Sequence, residues 1–92
     1  MLESLRFRVT GRVQGVFFRD FTRRAARERV VTGWVCNCDD GSVQGEAFGT
    51  KNALEGFVNW LHEGSPHSAV DAVEVQAGPS SSKAPPSFEI RY

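Results

Sequence analysis

From Leu5 the chain alternates. Leu5, Phe7 and Val9 are apolar, and Arg6 and Arg8 lie between them. A period of two puts the two sets on opposite faces of an extended segment, so a half-buried strand is expected, running on towards Val13. Gly11 and Gly15 break the alternation, and from Phe18 the spacing changes. Phe18, Phe21, Ala25 and Ala26 recur at helical intervals with arginines between them, which predicts a helix over about 18–29. Thr32-Gly33 punctuates, and VTGWVCNC follows with β-rich residues. Asp40-Gly41 is a hairpin signal, and Ser42 to Phe48 supplies the return strand, closed by Gly49. Thr50 or Asn52 can cap a second helix, and Asn52 with Glu55 has the spacing of a capping box. Leu54, Phe57, Val58 and Leu61 form its apolar stripe, and Gly64-Ser65-Pro66 stops it. Val70 to Ala77 reads as a fourth strand, Gly78 to Ser87 as a loop, and Phe88, Ile90 and Tyr92 as a short terminal strand.

The resulting order is β-α-β-β-α-β, with the last strand region split in two. It predicts an α+β fold, a ferredoxin-like βαββαβ sandwich with two helices on one face of an antiparallel sheet. With 92 residues, one domain over 1–92 is expected. This element order carries enzymes, RNA binders and metal carriers alike, so function must come from particular residues.

Composition narrows the choice. Lys+Arg and Asp+Glu are both 11, so no overall basic balance draws the chain to nucleic acid or to an anionic membrane. The balance is uneven along the chain. Residues 1–29 hold eight arginines against three acids, a net +5, and residues 30–92 carry the opposite −5. An anionic ligand is therefore expected on the N-terminal part. No apolar run approaches the ~18 residues that a membrane span needs. The N-terminus lacks the apolar core and cleavage site of an export signal, and the two cysteines, Cys36 and Cys38, are too few for a disulfide scaffold. Reduced thiols in a cytoplasmic protein are the simplest reading.

The segment Gly11-Arg12-Val13-Gln14-Gly15-Val16-Phe17-Phe18-Arg19 joins the first strand to the first helix. Glycines let backbone N–H groups converge, and a helix N-terminus adds donors with partial positive charge. An arginine at the rim adds a planar fork matched to phosphate oxygens. Together these can make a nest for a phosphate-sized anion. From spacing alone, a tight strand-to-helix turn with a surface arginine fits equally well. The segment matches neither the Walker A pattern nor the dinucleotide fingerprint.

GRVQGVFFR at 11–19 resembles a motif of the acylphosphatase family, G-x-V-Q-G-V-x-F/Y-R. A second stretch, Gly33-Trp34-Val35-Cys36-Asn37-Cys38-Asp39-Asp40-Gly41-Ser42-Val43 followed by Gly49, is similar to the family's G-aromatic-V-x-N-x-x-x-G-x-V and its later glycine. Gly64-Ser65-Pro66 and the ending Phe88-Glu89-Ile90-Arg91-Tyr92 extend the resemblance over nearly the whole chain. Position 36 departs from the family, which usually has a long basic or polar residue there.

The resemblance implies an enzyme that hydrolyses acyl phosphates to a carboxylate and inorganic phosphate. It implies that Arg19 holds the phosphoryl group. The backbone amides of Gln14, Gly15, Val16, Phe17, Phe18 and Arg19 would cradle its oxygens, and Asn37 would orient the attacking water. It implies no cofactor and no metal. Substrates would be small-molecule acyl phosphates or aspartyl phosphates on proteins, which share the required bond. A monomer that binds neither nucleic acid nor membrane is expected.

Other residues read more plainly. Cys36-x-Cys38 supplies two ligands, and His62 and His67 have no metal-ligand spacing to it. Alternation places both thiols on one side and Asn37 on the other. Trp34 and Trp60 are expected in the core and between the layers. Arg23, Arg24, Arg27 and Arg29 are expected on the solvated face of the first helix. An RNA-binding module of the same element order would display several aromatics on its third strand. Here that strand is SVQGEAFG, with one aromatic and one acid. A phosphate-binding regulatory domain without turnover, as part of a larger carbamoyl-transferring protein, is the third reading, and the short chain speaks against it.

Overall fold

A computed structural model of the chain describes residues 2–15, 17–79 and 84–91. The alternation from Leu5 becomes β1 (Glu3–Arg12), with Leu5, Phe7 and Val9 buried and Arg6 and Arg8 exposed. The change of period becomes α1 (Phe18–Glu28), which buries Phe18, Thr22, Ala25 and Ala26. Then come β2 (Thr32–Asn37), β3 (Val43–Gly49), α2 (Lys51–Glu63), β4 (Ala69–Ala77) and β5 (Phe88–Arg91). Thr50 caps α2, its hydroxyl accepting from Ala53 N at 3.2 Å, so of the two candidate caps Asn52 lies inside the helix. The chain leaves α2 through Gly64, at φ +78°.

The five strands form one sheet in the order β4-β1-β3-β2-β5. The first four pair antiparallel, as the element order predicts. The short β5 adds alongside β2 in parallel, which makes the sheet mixed. Both helices cover the face that carries Leu5, Phe7, Val9, Val35, Val43 and Ala47. Phe57 of α2 is fully buried and joins Phe7 and Phe88 at ring distances of 5.5 and 5.7 Å. It therefore ties the helix layer to strands from both ends of the chain. Truncating such a ring to alanine costs about 3–5 kcal/mol.

Trp60 packs against Phe18 at 5.7 Å, between the two helices. Trp34 departs from expectation. Val35 takes the helix side of β2, so strict alternation turns Trp34 to the open face of the sheet. There the Arg91 guanidinium lies over its ring at 4.6 Å, and its indole N–H donates to Glu46 Oε1 at 3.4 Å.

Candidate active site

β1 and β2 are each antiparallel to β3, so they run in the same direction. Their C-terminal ends therefore reach the same end of the sheet. Register sets them two strand-widths apart: Asn37, the last residue of β2, pairs with Val43, which pairs with Val9 of β1. The loop after β1 and the side chain of Asn37 thus meet at one end of the helix layer. A register irregularity between Thr10 and Gly11 turns the end of β1, and Val13 N then bonds Gly11 O at 3.1 Å. Bulges of this kind bend a strand where a site begins.

Among the loop's described residues, Gly15 at φ +73° and Phe17 at φ +59° are left-handed. Phe17 is the N-cap of α1, makes no side-chain cap, and is 76% exposed. A bulky residue held in that region, with its ring in solvent, is a strained conformation of the type found at ligand-binding loops. Left-handed positions are the backbone conformation from which anion nests are built. The first helical bond runs from Phe21 N to Phe17 O at 3.1 Å, so the amides ahead of it, Phe18 among them, lie outside the ladder. The helix dipole adds partial positive charge at the same place.

Val13, Gly15, Phe17, Phe18, Arg19, Asp20, Arg23, Asn37 and Ile90 line a cleft of about 410 Å³ at this point. The cleft brings together Gly15, Phe17, Phe18, Arg19 and Asn37, all expected from the sequence. Gln14 is adjacent but not in the lining, and its side chain points to the β2–β3 turn. Val16 lies outside the described residues. A cavity of similar size, about 430 Å³, sits on the open face of the sheet among Arg6, Arg8, Trp34, Gln44 and Glu74. It has no helix N-terminus, and its two arginines are ion-paired, Arg6 with Glu46 at 3.8 Å and Arg8 with Asp40.

Several contributors to the cleft lie outside the residues singled out from the sequence. Arg19 Nη1 donates to the backbone carbonyl of Arg91 at 3.3 Å, so β5 helps to orient that guanidinium. Ile90 of the same strand forms part of the wall. Arg23, expected on a solvated face, borders the cleft one helical turn beyond Arg19, and its Nη2 is tied to Asp20 Oδ1 at 2.7 Å. Asp20 also meets Arg24 at 3.2 Å. The i, i+4 spacing of Arg19 and Arg23 was the available signal for a shared helix face. The parallel docking of β5 had no such local signal.

The thiols of Cys36 and Cys38 are free and half-buried. Burial, then the neighbouring Cys38, pushes the Cys36 thiol up, against the opposing pull of Arg91 and Arg19. Among the described residues, no group of three or more His, Cys, Asp or Glu side chains comes together, and no helix is long and apolar enough to cross a membrane.

The frame is a ferredoxin-like α+β fold, with an arginine-bearing cleft where the C-terminal ends of β1 and β2 meet the N-terminus of α1. Comparison with known proteins gives the family. The profile described as Acylphosphatase matches residues 5–90. An acylphosphatase of Rubrobacter xylanophilus is 48% identical over 89 residues, covering 97% of this chain and 80% of that protein. One of Salinibacter ruber is 56% identical over 68 residues, 74% of this chain and 72% of its own. The crystal structure of acylphosphatase from Bacillus subtilis superposes with a TM-score of 0.92 at 43% identity, covering 100% of both chains. The chain belongs to the acylphosphatase family of enzymes.

Proposed function

We propose that this protein hydrolyses the carboxyl–phosphate bond of acyl phosphates, and that the cleft between the 13–17 loop and Asn37 is where it does so. The observation that carries the reading is the convergence of Gly15 and Arg19, from the segment joining β1 to α1, with Asn37 at the end of β2 on one cleft. The phosphoryl group sits in the amides of residues 14–19, with the Arg19 guanidinium forking two of its oxygens. Asn37, on the far wall, holds a water for in-line attack on phosphorus.

The bond from water oxygen to phosphorus forms as the bond from phosphorus to acyl oxygen breaks, and its electron pair leaves on the carboxylate. A phosphoryl oxygen takes the water's proton. The products are RCOO⁻ and H₂PO₄⁻, so protons and charge balance. A carboxylate is a good leaving group, so a site without a general acid or a strong base suffices. The loose transition state spreads charge over the equatorial oxygens, where fixed amides and a guanidinium are most effective. None of these roles calls for a metal ion.

Small-molecule acyl phosphates are the proposed substrates, with aspartyl phosphates on proteins as the second class that carries the same bond. Among the described residues one sheet and two helices share one core, which supports taking residues 1–92 as a single acylphosphatase-like domain; that domain is proposed to act as a monomer. Two free thiols fit a reducing cytoplasm.

The test is phosphate release from benzoyl phosphate, with and without a chelator, by the unsubstituted protein and two variants. Arg19→Lys should lose rate and phosphate affinity together, because an ammonium cannot reproduce a bidentate fork, with a binding loss of roughly 1.5–3 kcal/mol. Asn37→Ala should lose rate far more than phosphate affinity, since its partner is the water. Equal losses in the two terms for Asn37→Ala would give that residue a phosphate-binding role instead. Loss of turnover in chelator would end the metal-free mechanism.

A further inference from the structure

Gln14 belongs to the loop after β1, yet its side chain reaches the turn between β2 and β3. Its Nε2 donates to Cys38 O at 2.8 Å and to Ser42 O at 2.9 Å. Carbonyls only accept, so the nitrogen end of the amide must face them, and both of its hydrogens are used. The same two carbonyls close the turn itself: Cys38 N donates to Ser42 O at 2.8 Å, and Gly41 N to Cys38 O at 3.2 Å. One half-buried side chain therefore grips both ends of the turn, and Asn37 is the residue immediately before it.

We propose that Gln14 is a positioning residue for the hydrolysis: its side-chain amide fixes the distance from the amide cradle to the Asn37 carboxamide. This rests on the functional reading above. Asn37 and the cradle lie on different segments, and no hydrogen bond from Asn37 to the cradle holds them together among the described residues. The Asn37 backbone is paired with Val43, which sets the height of its strand but not the lean of the turn towards the cradle. Gln14 supplies that tie. In-line attack is sensitive to misplacement of this type, about 100-fold for an ångström. Gln14 contributes to phosphate binding only through its backbone, so its side chain should matter for rate and little for affinity.

The experiment is a double-mutant cycle read by turnover of benzoyl phosphate and by competitive inhibition with inorganic phosphate. Gln14→Met keeps the length and removes the donors. It should lower kcat roughly 10- to 100-fold, with the inhibition constant for phosphate unchanged within about twofold. In an Asn37→Ala background the same substitution should cost little more, because the group it positions is gone. Gln14→Glu provides a second reading. At neutral pH its carboxylate faces two carbonyls and should be slower than Gln14→Met. As pH falls and the carboxyl gains a proton it can donate once, so the gap between the two should narrow.

Multiplicative losses in the Asn37→Ala background, or a phosphate-affinity loss with kcat intact, would overturn the role of Gln14. An unsubstituted protein that releases no phosphate overturns the hydrolase reading itself, and this role with it.

Discussion

An alanine at position 15 would have room for its methyl group and still be wrong for the backbone. An ideal Cβ at Gly15 meets nothing within 4 Å, but φ there is +73°. The cost is therefore conformational, about 1–2 kcal/mol for an L residue in that region. Relaxation to negative φ would reorient the adjoining amides, on which the proposed cradle depends. We expect Gly15→Ala to stay folded and to bind inorganic phosphate more weakly, read by titration calorimetry against the unsubstituted protein. Wild-type affinity would show that the loop focuses its donors without a left-handed residue at 15. Phe17 is the harder case for sequence reading, since nothing about a phenylalanine announces a left-handed N-cap. The tertiary pull of the loop overrides its local preference. Arg19 and Asn37 were legible because each stands in a long motif, whereas Arg23 was hidden among four helix arginines of similar appearance.

The β2–β3 turn shows what an element adds to its residues. Asp40-Gly41 predicts a hairpin, and the hairpin forms, but the aspartate does more than turn the chain. Its Oδ1 accepts from Ser42 Oγ at 2.6 Å and from Ser42 N at 3.0 Å, and its other oxygen pairs with Arg8 on β1. Those bonds, the Ser42 hydroxyl foremost, hold the Asp40 carboxyl below the ordinary carboxylate range. A depressed folded-state pKa contributes stability that is present above the unfolded pKa and is lost as pH falls through the folded one. Asp40→Ala should therefore melt below the unsubstituted protein at neutral pH. The difference should shrink as pH falls below the normal aspartate range. A constant difference across that range, followed by melting against pH, would assign the effect to packing or to turn propensity. Strand β2, which leads into that turn, holds the clearest departure at this scale. Trp34 reads as core by composition, but TGWVCN is apolar on both sides, so a period of two cannot say which side faces the helices. Burial of Val35 decides it. Helix α2 was similarly ambiguous by two residues, between Thr50 and Asn52, and the Thr50–Ala53 bond settles its start. The parallel seat of β5 depends on a pairing between residues about 55 apart, which no local pattern encodes.

At the scale of the molecule, the cleft joins the basic N-terminal third to the neutral end of β2 and the edge of β5. Arg19 is oriented by a carbonyl 72 positions away, so the site exists only when the whole sheet is assembled. An anion that binds this cleft binds the folded chain and not the unfolded one, and must raise the melting temperature by mass action. At ten times its dissociation constant, inorganic phosphate should add about 1.4 kcal/mol, or roughly 6–11 °C for a chain of this size. General screening of the +5 N-terminal region must be separated from that effect, because chloride also reduces repulsion among the arginines of α1. The comparison is therefore phosphate against sodium chloride at equal ionic strength, for the unsubstituted protein and for Arg19→Lys. Arg19→Lys keeps the charge, so its response to chloride should match that of the unsubstituted protein, while its response to phosphate should be smaller. Equal shifts from both salts in both proteins would mean that the cleft holds no phosphate, and that the stabilisation comes from the diffuse field of the arginines alone.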